Sequence, residues 1–172
     1  MKKNNHLSYI GYLIVFIMGI TQLCCAQNQF SSDSVKYTIL SSRHDGKNMS
    51  KFDTERGGVI LFEFVGTKLT QMSNISEVDN CKSFGEVSNY QSDTTYLSTE
   101  KYKLISTSFS WNYKNDFDSD TGMALIKFKE KTSAYGTNFV LQMFIENTRE
   151  IIEYSGYKEG TRDPAVLTET IW

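Results

Sequence analysis

Apolar and polar side chains alternate along most of this chain, with a period of two. In residues 107–113, Phe109, Trp111 and Tyr113 fall on one side and Ser108, Ser110 and Asn112 on the other, the pattern of a strand with one face buried. Residues 138–146 place Phe139, Leu141, Met143 and Ile145 on one face. Val140 and Phe144 share the other with Asn138, Gln142 and Glu146, so this strand is expected to be covered on both sides. Between them, 123–129 sets Ala124, Ile126 and Phe128 against Lys127 and Lys129. Upstream, 59–65 follows Gly57 and Gly58 and carries Ile60, Phe62 and Phe64 on one face, and Gly66-Thr67 can reverse the chain into 68–72. Adding 35–40, 83–90, 102–105 and, after the turn Asn147-Thr148-Arg149, 150–157, the pattern predicts about seven or eight strands.

The connections between these runs are short, and none holds the amphipathic helix that a parallel crossover needs. The chain therefore reads as all-β, an antiparallel meander. Asp163-Pro164 has the form of a helix start, with Leu167 and Ile171 four apart, so a short C-terminal helix is expected. Such a set of strands has to hide its edges, and a small closed barrel is the arrangement we expect over a sandwich. Eight antiparallel strands in meander order followed by a C-terminal helix resemble the lipocalin-like, or calycin, arrangement across residues 35–172. The Gly-x-Trp element of that family's first strand is absent, because Trp111 follows Ser110 and lies late in the chain.

The first residues obey a different pattern. Lys2 and Lys3 precede an uncharged apolar run, 9–20, then Leu23, Cys24, Cys25, Ala26 and Gln27, the order of a secretory leader. The run is far shorter than the ~20 residues that cross a bilayer core. Cys24 and Ala26 supply small side chains three and one residues before a cut, which places cleavage after Ala26 and makes 1–26 a signal peptide. Two other outcomes stay open: lipid attachment at Cys25, and retention of the uncharged segment as an anchor. After cleavage, 27–34 reads as a flexible lead and 35–172 as one β-rich domain with no membrane span. The single proline and the lack of any Ser/Gly-rich stretch leave no linker within it. Short Lys-rich leaders suit bacteria, so the expected location is periplasmic or extracellular, or lipid-anchored in the envelope.

Charge narrows the partners. With 18 basic and 20 acidic residues, and two of the lysines in the leader, the exported chain is acidic and its cations are scattered along the sequence, which argues against nucleic acid. Cleavage after Ala26 also leaves Cys81 as the single thiol, so packing rather than an internal disulfide must hold the fold.

Three stretches carry candidate chemistry. Aromatic residues make up 13% of the chain; Phe109, Trp111, Phe128, Phe139 and Leu141 would line the inside of a barrel, either as the wall of a cavity for an apolar ligand or as a packed core. Asp116, Asp118 and Asp120 alternate on a loop in a way that can converge on calcium. Yet Thr121 and Lys127 stand where a helix-loop-helix calcium site needs Gly and Glu, and a solvated hairpin loop explains the same acids. Arg43-His44-Asp45-Gly46-Lys47 gathers charge on a turn, and His44 with Cys81 is the one nucleophile and base pair available. No Ser-containing elbow or phosphate loop accompanies them. The reading these features support is a non-enzymatic exported domain that binds a small apolar molecule or an envelope component. The alternatives are a structural or interaction protein, such as an accessory subunit or inhibitor of another protein, and an enzyme.

Overall fold

A computed structural model of the chain describes residues 32–97 and 101–161. The leader, Cys25 and the C-terminal helix expected from Asp163 onward lie outside the described residues. Among the described residues nine strands occur in chain order: β1 (Ser32–His44), β2 (Lys47–Asn48), β3 (Gly58–Val65), β4 (Lys68–Ser76), β5 (Cys81–Leu97), β6 (Tyr102–Asn115), β7 (Thr121–Ser133), β8 (Gly136–Ile145) and β9 (Ile151–Lys158). One helix, α1 (Ser50–Glu55), falls between β2 and β3. From β3 to β9 each strand pairs antiparallel with the next, and β1 pairs with both β3 and β9. The result is a closed eight-stranded antiparallel barrel, with β2 a short hairpin extension of β1.

Closure depends on β1 serving two neighbours. Its first half, through Thr38, pairs with β3; from Tyr37 onward it pairs with β9. A bulge between Ile39 and Ser41 turns Leu40 outward, 42% exposed, and bends the strand from one partner toward the other. β1 starts at Ser32, so residues 32–34, expected to be part of a flexible lead, are strand.

The alternation in sequence is the inside-outside alternation of the barrel. Along β7, Ala124, Ile126, Phe128 and Glu130 are buried while Leu125, Lys127 and Lys129 are exposed. The inward side chains fill the lumen. Tyr37, Phe62, Phe128 and Phe139 form a ring cluster, with centroids 5.0 Å apart for Phe62 and Phe128 and 5.1 Å for Tyr37 and Phe128, distances at which edge-to-face packing is favourable. Trp111 satisfies its one donor by a 3.0 Å hydrogen bond to the Met72 carbonyl. At two inward positions the neighbouring strand comes so close that only glycine fits. A Cβ on Gly85 would lie 1.8 Å from the Asn112 carbonyl oxygen, and one on Gly156 1.9 Å from that of Thr38. The outer face of β8 differs from the expected double cover, since Phe144 is 36% exposed there.

Candidate functional site

Antiparallel order brings the end of β1, the start of β3, the β4–β5 and β6–β7 loops and the β8–β9 turn to one end of the barrel. α1 lies across this end. The helix is short, six residues, and none of its side chains is buried, so apolar packing does little to hold it. Polar contacts do that instead. The Ser42 hydroxyl, 1% exposed, donates to Asp53, and the Ser42 amide donates to Ser50 Oγ at 3.0 Å. The Ser50 amide donates to Asn48 Oδ1 at 2.9 Å, which helps to start the helix. At the other end Gly57, with φ of 64°, ends the helix and leads into β3.

Below α1 the lumen is polar. His44 Nε2 lies 3.6 Å from Asp53 Oδ2 and has no hydrogen-bond partner among the described residues. Asn74 donates to the Tyr154 hydroxyl at 3.2 Å. Burial pushes the Tyr154 hydroxyl well above the ordinary tyrosine range, and the charge of Asp53 adds to this. Ser, His and Asp thus meet here in an order that suits structure rather than acyl transfer. Asp53 sits between Ser42 and His44, so the hydroxyl donates to the acid and His44 does not stand as a base beside it.

Beside this cluster, at the mouth, is a cavity of about 310 Å3, within the range that small-molecule sites occupy. Ile39, Ile75, Phe52 and Phe117 supply its apolar lining; Asp53, Arg56, Asn74, Asp79, Cys81 and Lys82 add polar groups. Phe52 and Phe117 are 44% and 58% exposed. The Arg56 guanidinium lies 3.9 Å over the Phe52 ring and pairs with Asp79 at 3.0 Å.

At the far end the lumen is closed by another polar group. Glu130, 7% exposed, takes an ion pair from Lys158 at 3.2 Å and faces the Tyr37 hydroxyl. Burial, reinforced by Glu130, raises that hydroxyl far above its usual range.

The positions singled out in the sequence are distributed as follows. Phe109, Trp111, Phe128, Phe139 and Leu141 do come together, each 3% exposed or less, in the packed lumen. Asp116, Asp118 and Asp120 are exposed on the β6–β7 loop, where Asp116 accepts the Lys82 amide at 2.8 Å and Asp118 the Asp120 amide at 2.9 Å. No group of three His, Cys, Asp or Glu side chains among the described residues is placed to hold a metal ion. His44 and Cys81 have separate partners: His44 approaches Asp53, while the Cys81 thiol donates to the Asp79 carbonyl at 3.5 Å and lines the cavity. The sequence pattern did not point to Phe52, Arg56 or Phe117; the i, i+4 spacing of Phe52 and Arg56 is the one local sign. No helix among the described residues is long and apolar enough to cross a membrane. No family model, curated protein or solved structure matches the chain.

Proposed function

We propose that this chain is an exported, non-enzymatic binding domain of the bacterial envelope, and that it takes a small apolar molecule at the capped end of the barrel. The observation that carries this reading is the cavity of about 310 Å3 bordered by the exposed rings of Phe52 and Phe117. Exposed aromatic side chains beside a concave space are costly unless something covers them. The rings that fill the lumen then serve as a rigid support. Export rests on the leader-like first 26 residues.

Native mass spectrometry of protein purified from its host tests both halves. The expected result is a chain starting at Gln27 that carries a small bound mass, and Phe52→Ser with Phe117→Ser releases that mass. An unprocessed chain ends the export reading. A processed chain with no bound mass and no affinity for a neutral apolar dye ends the carrier reading.

A second reading, an accessory or interaction protein, is favoured by a different feature. Leu125, Phe144 and Ile151 stand side by side in register on the outer face of β7, β8 and β9, 45%, 36% and 43% exposed. Cross-linking in an envelope fraction that is unaltered by Leu125→Asp and Phe144→Asp together counts against it.

A further inference from the structure

We infer that the ligand of the end cavity is amphiphilic and anionic, an apolar body bearing one carboxylate- or sulfonate-like group that Arg56 recognises. This rests on the proposed carrier function and extends it to a chemical class. Four charged side chains line the cavity, Asp53, Asp79, Arg56 and Lys82, and they balance formally, so selectivity depends on which of them are already engaged. Asp53 accepts the Ser42 hydroxyl and faces His44. Asp79 accepts from Arg56 and from the Ser76 hydroxyl at 3.0 Å. Both acids are therefore already engaged within the protein, each through Oδ2.

The cations are engaged less fully. Arg56 has five N–H donors, and its ion pair with Asp79 is made through Nη1. Its side chain is 46% exposed, and its guanidinium carbon lies 3.9 Å over the Phe52 ring, with both side chains lining the cavity. Lys82 lies 4.9 Å over the Phe84 ring. An anion entering beside Phe52 meets guanidinium donors that the Asp79 pair does not use, whereas an ammonium group meets acids that already have partners. Because Ser76 also serves Asp79, Arg56 can share or leave that carboxylate without stranding it.

Two fluorescent probes with the same fused-ring and phenyl body separate this claim from the carrier reading. 8-Anilinonaphthalene-1-sulfonate carries an anion; N-phenyl-1-naphthylamine does not. In titrations of the processed protein at low salt, the sulfonate is expected to bind about tenfold more tightly, the size of one charge-assisted hydrogen bond, and the two dyes to compete. Arg56→Gln removes the difference between the two dyes. Asp79→Asn, which releases Arg56, widens it in favour of the sulfonate. Equal affinities in the unaltered protein, or a sulfonate affinity that neither substitution changes, overturn the inference while the carrier reading stands. Failure of both dyes to bind overturns the two together.

Discussion

Tyr37 and Tyr154 point into the lumen near opposite ends, and for both, burial is the first reason that the hydroxyl keeps its proton. In the unfolded chain these phenols ionise from about pH 10. In the folded chain they stay neutral, so the folded state binds more protons above that pH. A group with a raised folded-state pKa contributes stability that is fully present below its unfolded value and lost above it. Stability should therefore hold between pH 8 and 9 and then fall beyond pH 10, by about 1.4 kcal/mol per pH unit for each of the two groups. Urea unfolding midpoints from pH 8 to 11 measure the fall, and absorbance near 295 nm reports when the phenolates form. Tyr37→Phe and Tyr154→Phe should each flatten the alkaline slope. A slope that neither change alters removes the linkage.

At the scale of elements, α1 is the least firmly held part of the capped end, since polar contacts fasten it and none of its side chains is buried. Removing the Ser42 hydroxyl takes away a hydrogen bond to a charged acceptor, worth about 1.5–3 kcal/mol. Ser42→Ala is thus expected to speed hydrogen exchange of the α1 amides, such as Asp53 bonded to the Met49 carbonyl, by about tenfold or more, with β7 and β8 amides unaffected. Equal exchange before and after the change means that α1 is held by something else. The same weakness explains why α1 was not legible in sequence. Six residues are fewer than two turns, and a helix that buries nothing writes no apolar period. The strands were legible because each half-buried strand exposes every second residue, as β7 does at Ile126, Lys127 and Phe128. β5 was legible only to Tyr90. Its tail, 91–96, is exposed throughout, because β4 stops pairing at Glu86 and leaves β6 as the one neighbour, so no inside-outside contrast marks it. The site was illegible for a related reason: Phe52 and Arg56 belong to α1 and its C-terminal end and Phe117 to the distant β6–β7 loop, and the antiparallel order of the barrel is what brings these two segments to one mouth.

That closure is a property of the whole molecule, and β9 tests it. In an open meander β9 would be an edge strand, with every second amide facing solvent, and proline would be tolerated at those positions. In the closed barrel Ile152 lies between Met143 and His44, and Ser155 between Val140 and Ser41. These two residues are of opposite parity, so an edge strand would tolerate proline at one of them. Here Ile152→Pro and Ser155→Pro should both cost about 3 kcal/mol or more relative to alanine at the same site, read from urea midpoints. Full tolerance of either proline would mean that β1 and β9 are not paired. The bulge at Leu40 would then have no role in bending β1, and α1, which is fastened to β1 through Ser42, would lose the fixed rim across which it lies. Ser42, which pairs with Tyr154 of β9 and donates to Asp53 of α1, links that seam to the wall of the cavity.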